Sequence, residues 1–355
     1  MKPVDTLTPV QRRPSKAYLV NELRKAVHTW RDQDYPGITD TTRRLLQFWF
    51  EEDHLIDNEP FRFWFCQREA IETLIYVYEV MKKRNFIDIA RDFGSGPIQG
   101  YDPTYDQYPL YAFKMATGSG KTFMMVLAIL WSYFNNKKEN GEDYTSKFLL
   151  IAPNVIVYDR LRRDFQDGRI FKEYPFIPTE WSGDFDLKVI LREDPIHVIP
   201  ENVLFLTNIQ QLEERKSQKE EVEEYVDDLL VLEEVKKYDI YQENRIREVL
   251  SSCPNIMILK DEAHHIYNFE RAWKKILMNL HRGLASEHGK GINTELDFSA
   301  TPKTESGALI PWIIVDFSLA EAIEMNIVKR PMKGIVKNAE EIASKKAFER
   351  YRAWI

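Results

Sequence analysis

The run Gly118-Ser119-Gly120-Lys121-Thr122 is the strongest chemical signal in the chain. Two glycines let backbone NH groups turn inward around a row of phosphate oxygens, a lysine ammonium reaches the β- and γ-phosphates, and a threonine hydroxyl can ligate Mg2+. Tyr111 to Met115 is a short apolar run of strand length, and Phe123 to Tyr133 reads as an apolar helix. Met115-Ala116-Thr117 and the glycines therefore stand at a strand-to-helix turn, where the helix N-terminus adds positive dipole. The strict spacing would place Gly or Ala where Met115 stands, and the rest of the pattern is complete.

A second constellation closes another apolar run: Ile256-Met257-Ile258-Leu259-Lys260 leads straight into Asp261-Glu262-Ala263-His264-His265. At the C-terminal end of a parallel strand beside a phosphate loop, Asp261 is placed to hold Mg2+ through water, and Glu262 to orient and activate an attacking water. His264 and His265 have no third metal ligand at the usual spacing, so coupling of His264 to a further motif fits better than zinc. That motif is Ser299-Ala300-Thr301-Pro302, again after an apolar run, whose hydroxyls could bridge the carboxylate loop to groups across a cleft.

The hydrophobic pattern supplies the elements that must hold these motifs. Tyr111–Met115, Phe148–Ala152, Val203–Thr207, Ile256–Lys260, Leu296–Ser299 and Trp312–Val315 alternate with helical segments, the pattern of a parallel sheet covered by helices on both faces. Upstream, Leu19, Val20, Leu23, Ala26, Val27 and Trp30 predict a helix with Ser15 as N-cap, ended by Tyr35-Pro36-Gly37. A second helix, Thr41 to Phe50, is capped by Asp40 and followed by an acidic loop from Glu51 to Pro60, so residues 1–60 read as a helical accessory region. A third helix spans about Gln67 to Lys83, and the Gly/Pro/Asp/Tyr-rich stretch Asp92 to Pro109 reads as a loop. Between the third and fourth strands lies a charged block, residues 212–250, whose sparse apolar residues (Val222, Tyr225, Val226, Leu229, Leu230) suit a solvated helical hairpin standing off the core.

With 355 residues, 44% hydrophobic and 30% charged, the chain can bury a large core, which excludes disorder and fibres. Its net charge is −7, but Glu213 to Glu248 alone holds 13 acidic against 7 basic residues, so the remainder is near balance and leaves room for a basic groove. Cys66 and Cys253 stand far apart with no CxxC, which offers neither a disulfide framework nor a thiolate zinc site and suits a reducing cytoplasm. No apolar run approaches the roughly 20 residues of a membrane span, and the first 16 residues lack an apolar signal segment. A cytoplasmic protein with no membrane partner is expected.

In this order, GSGKT, DEAH and SATP resemble the first RecA-like lobe of superfamily 2 helicases and translocases, and within them the helicase/endonuclease (Res) subunit of type III restriction enzymes. The narrower resemblance is carried by MATGSGKT, FWFCQREAIETL around Gln67, LLIAPNVIVYDRL from Leu149 to Leu161, LFLTNIQQL from Leu204 to Leu212, DEAHH, LDFSATP, and VDFSLAEAIEMNIVKRP from Val315 to Pro331. It covers about residues 61 to 331. It implies an α/β fold, a RecA-like P-loop domain with a parallel sheet flanked by helices, with the N-terminal helical region and the charged insertion added to it. ATP and Mg2+ are the implied cofactors, with Thr117, Gly118, Ser119, Gly120, Lys121 and Thr122 around the phosphates and Thr122 and Asp261 at the metal. The implied catalytic set is Lys121, Asp261, Glu262, His264, Ser299 and Thr301. Gln67 would read the adenine edge with its amide, with Phe65 or Arg62 stacking nearby. Pro153, Asn154 and Asn208 would touch a nucleic-acid backbone without reading its sequence, while Arg160, Arg162 and Arg163 either add charge there or form a solvated helix face.

The expected function is thus the ATP-binding first motor lobe of a DNA-dependent ATPase that translocates on or remodels duplex DNA, in restriction or another anti-phage defence system, with a methyltransferase or other defence subunit as partner. Such motors need a second RecA-like lobe bearing an arginine finger, and the 24 residues after Pro331, which read as one helix capped near Asn338, cannot contain it. The expected organisation is therefore 1–60, 61–331 and a helix at 332–355 leading to a second lobe and any nuclease domain further along a longer enzyme. Two rivals are an RNA helicase and a nucleotide-gated scaffold without transport. LTNIQQL and SLAEAIEMNIVKRP point to the restriction group, and Glu262 argues against a pure switch, which has little use for a hydrolytic base.

Overall fold

The computed structural model describes residues 12–96, 98, 101, 103–139, 141–196, 198–208, 250–262, 270–303 and 307–329. Residues 212–249 of the charged insertion, His264, His265 and the segment from Arg330 onward lie outside the described residues. Two helices open the described chain, α1 (Val20–Asp32) and α2 (Asp40–Phe50). Neither is capped as the sequence predicts. Ser15 lies five residues ahead of α1, and its hydroxyl accepts from the Ala17 amide and donates to Asp316 Oδ2 at 2.6 Å, tying the N-terminal segment to the sheet edge. In α2 the cap is Thr39, whose side chain accepts from Thr42 N, because Asp40 has already turned helical. The stretch expected as an acidic loop contains a hairpin, β1 (His54–Ile56) and β2 (Glu59–Phe61), closed by Asp57 and Asn58, both at positive φ. Two consecutive left-handed residues make the mirror-image turn whose twist suits paired strands, and three-residue strands are too short for alternation to reveal.

The third helix starts earlier than expected, as α3 (Phe65–Ile75), and continues into a widened turn over Tyr76–Val80, where the Met81 amide reaches back five residues to Tyr76 O. A further helix, α4 (Phe86–Phe93), precedes the irregular stretch and occupies the first residues of the predicted loop. Seven strands then form one sheet: β3 (Leu110–Met115), β4 (Lys147–Ala152), β5 (Lys188–Leu191), β6 (Val203–Asn208), β7 (Ile256–Lys260), β8 (Ile292–Ser299) and β9 (Ile313–Phe317). Their order is β5-β6-β4-β7-β8-β3-β9 and every pair is parallel. The sequence predicts six of these; β5, four residues on the sheet margin, is the addition.

Alternation fixes the two faces. Phe148, Leu150 and Ala152 of β4, Leu204 and Leu206 of β6, and Met257 and Leu259 of β7 enter one apolar cluster, together with the long buried helix α5 (Lys121–Lys138) and the N-terminal helices. Leu149 and Ile151, Val203 and Phe205, and Ile256 and Ile258 enter a second cluster with Leu277 and Leu284 of α8 (Glu270–His288). Strands buried on both faces read as continuous apolar runs, which is why the sequence marks them so clearly. The same alternation brings Lys260 of β7 to Glu295 and Asp297 of β8, with Asp297 directly beside it in the ladder. Burial pulls the Lys260 ammonium toward neutrality, but Asp297 and Glu295 outweigh it and hold its pKa above the ordinary lysine range.

Candidate active site

A parallel sheet has one C-terminal edge, and crossover connections deliver every strand-end motif to it. Met115 ends β3 and opens the loop Ala116–Gly120; α5 begins at Lys121; Asp261 and Glu262 follow β7; Ser299 ends β8; and Pro153 and Asn154 lead from β4 into α6 (Val155–Phe165). The loop is folded by its glycines. Gly118 and Gly120 both have left-handed φ (83° and 91°), where any other residue would be strained, and a Cβ on Gly120 would also stand 2.0 Å from Gln67 Nε2 and displace that amide. The Ala116 carbonyl accepts from the Ser119 amide at 3.1 Å and from its hydroxyl at 2.7 Å, while Thr117 and Gly118 face outward.

Lys121 Nζ donates to Glu262 Oε1 at 2.6 Å, joining two motifs 141 residues apart. Asp261 is completely buried, accepts from the Glu262 amide at 3.0 Å and is ion-paired with Arg160 of α6. Burial pushes the Asp261 carboxyl above the ordinary aspartate range, against the pull of Arg160 and Lys121. Glu262 sits at φ 49°, the left-handed region in which a side chain is strained, and such strain concentrates at working sites. Lys121 and Arg160 border a cavity of about 420 Å3, walled on one side by Thr117, Gly118, Gly120, Lys121 and Thr122 and on the other by α6 and α7 (Arg169–Glu173), with Asp261 and Glu262 held behind those two cations. The donor set fits a Mg2+-nucleoside triphosphate: a loop with two glycines at left-handed φ, a buried ammonium, a hydroxyl and a buried carboxylate. Among the described residues no three His, Cys, Asp or Glu cluster for a metal, so the cation would take its remaining ligands from phosphate and water, as Mg2+ commonly does.

The other predicted site residues fall into place unevenly. Gln67 is buried; its Oε1 accepts from Trp64 N at 2.9 Å and its Nε2 donates to Ser119 O at 3.3 Å, so the amide spans from the start of α3 to the phosphate loop. Phe65 is in the core, edge-on to Phe317, and Arg62 pairs with Asp53. Ser299 is buried and its hydroxyl accepts from Thr301 N, while Thr301 itself is exposed. Asn154 caps α6 by accepting from Val157 N, Pro153 is buried behind it, and Asn208 is buried at the end of β6 with Arg192 Nη1 on its amide oxygen. Of the three arginines on α6, Arg162 pairs with Glu193 and Arg163 turns outward. Arg160 is the residue that sequence reasoning misplaced, because its contact with Asp261 depends on β4 lying beside β7, which no local pattern records.

Comparison with protein families matches residues 65–304, more than half of the chain, to the family described as "Type III restriction enzyme, res subunit". The chain belongs to that family. It is accordingly a helicase-like, ATP-binding motor domain of RecA-like fold, and the seven-stranded sheet agrees with this. No curated protein matches the chain. Among the described residues no helix is long and apolar enough to cross a membrane.

Proposed function

We propose that the chain is the first motor lobe of a DNA-dependent ATPase that translocates on duplex DNA, the helicase-like subunit of a restriction or other anti-phage defence enzyme. The observation that carries the reading is the 2.6 Å contact between Lys121 and Glu262, which unites the phosphate loop with the acidic pair at one edge of the sheet. Bound Mg2+-ATP would supply the electrophilic γ-phosphate and the charge that polarises it. Thr117 to Thr122 would wrap the phosphates through backbone NH groups, Lys121 exchanging Glu262 for phosphate oxygens and Thr122 and Asp261 holding the metal side. Glu262, having given up Lys121, would accept a proton from an attacking water. Gln67 links the loop to the adenine side, and Ser299 and Thr301, with His264, would couple the site to a second lobe whose arginine completes the transition state. Pro153 and Asn154, and Asn208 beneath Arg192, would line the path of the nucleic-acid backbone.

Calorimetric titration with Mg2+-ATP and steady-state phosphate release test the reading together. The wild type should bind ATP, Lys121→Ala should bind it at least tenfold more weakly, and in a chain that includes the second lobe duplex DNA should stimulate turnover. Unchanged affinity in Lys121→Ala would remove the loop from nucleotide binding. Stimulation by RNA but not DNA would transfer the activity to an RNA helicase, and binding without any turnover would favour a nucleotide-gated scaffold.

A further inference from the structure

Two adjacent acids at the sheet edge are each held by a different cation. Lys121, from the start of α5, holds Glu262, and Arg160, from the middle of α6, holds Asp261. The partners differ in one respect. Asp261 is wholly buried, whereas the Arg160 side chain is 44% exposed and lines the same cavity as the phosphate loop. The carboxylate cannot leave, and the guanidinium can. An arginine in that position satisfies the charge and the hydrogen bonding of Asp261 in the way a hydrated divalent cation would, and the two cannot occupy one carboxylate face together.

We propose that Arg160 is a positioning residue that stands in for the divalent cation on Asp261, so that Arg160 and the metal are alternative partners of that one carboxylate. The proposal rests on reading the cavity as a Mg2+-nucleotide site. Its consequence is a linkage between metal and nucleotide. When no metal is present, Arg160 covers the negative charge that would otherwise face an incoming triphosphate. When metal is present, the metal covers it and Arg160 is dispensable. Removing the guanidinium charge should therefore weaken metal-free ATP binding while leaving Mg2+-ATP binding nearly intact.

The experiment compares ATP affinity in EDTA and in excess Mg2+ for the wild type and for Arg160→Gln, which keeps the length and polarity of the side chain but not its charge. The ratio of Mg2+-ATP to metal-free affinity should rise at least tenfold in Arg160→Gln, and Mn2+ alone, followed by electron paramagnetic resonance without nucleotide, should bind at least tenfold more tightly. Arg160→Lys, with the charge on a shorter stem, should show the same changes at smaller size, so the test does not depend on one variant folding. In an Asp261→Asn background the Arg160→Gln change should leave the ratio unmoved. A ratio within threefold of wild type in both Arg160 variants, with ATP affinities lowered alike, would make Arg160 a structural contact and overturn the exchange. A wild-type chain that binds ATP in neither condition would instead overturn the nucleotide reading itself.

Discussion

Lys260 and Asp261 are consecutive, both buried and both ion-paired, yet they belong to different parts of the molecule. Lys260 lies inside the sheet, held at 2.9 Å by Asp297 and also by Glu295, whose other oxygen accepts from Tyr108 OH at 2.7 Å. Every member of that group is within the closed interior. One residue further on the strand has ended, and Asp261 is held by an arginine that reaches both solvent and the cavity. Burial and pairing are the same in the two regions. The difference is whether a partner can depart without leaving a bare charge behind, and that separates a charge network that fixes strand register from one that can exchange ligands. Lys121 and Glu262 belong to the second kind, since the ammonium borders the cavity.

The comparison is broken most forcefully at the open edge. Glu262→Gln keeps the shape of the side chain but cannot take a proton from water, so turnover in a DNA-stimulated assay should fall by about 10^2 to 10^4, roughly 3–5 kcal/mol of barrier. Nucleotide binding should survive, since the amide holds Lys121 less tightly than the carboxylate does. Turnover at the wild-type rate would remove Glu262 from the mechanism. Its stability loss should be much smaller than that of the next variant, because Lys121 can be solvated from the cavity.

In the closed interior the effect should be on folding. Lys260→Met takes the buried cation away from Glu295 and Asp297, and breaking such a charged group costs about 3–5 kcal/mol, read as a shift in the urea midpoint. The pH dependence has a definite sign. A lysine whose folded pKa is raised stabilises fully below its unfolded value, so the difference between wild type and variant should be flat from neutral pH to about 10 and shrink above the unfolded lysine pKa of roughly 10.4. A stability loss below about 1 kcal/mol would mean that the other contacts of the two acids suffice without the ammonium, and the contrast between Lys260 and Asp261 would fail.

The sequence marked these two regions unequally. The central strands were readable because residues buried on both faces leave unbroken apolar runs, and the loop Thr117–Lys121 because its glycines have no substitute at those φ angles. The short margins were not: β5 has four residues, and β1 and β2 pair through a turn whose Asp57-Asn58 gives no glycine signal. Nor was the Lys260 group, because its lysine is a single polar residue at the end of an apolar strand and its acids come from a strand 35 residues on that lies beside it only once the sheet order is known. Arg160 was hidden for the same reason. Local pattern gives elements and their faces, whereas pairings between distant strand ends follow from the crossover topology.

The smallest effect, and the finest test of the open edge, is at Asn154. Its side chain caps α6 by accepting from Val157 N at 3.0 Å, the same helix that carries Arg160 to Asp261, and it stands where a nucleic-acid backbone is proposed to pass. These two roles respond differently to substitution. Asn154→Ala removes the cap and should cost about 1 kcal/mol of stability, along with any amide contact to DNA. Asn154→Asp preserves the cap, since a carboxylate accepts from the same amide and favours the positive end of the helix dipole, so stability should be unchanged within a few tenths of a kcal/mol. The added negative charge should nonetheless repel phosphates and weaken DNA binding several-fold at low salt, with the loss fading as salt screens it. Thermal melting and fluorescence anisotropy on a labelled duplex separate the two. If Asn154→Asp binds DNA as tightly as wild type at low salt, Asn154 is a helix cap alone and the strand path lies elsewhere along the sheet edge.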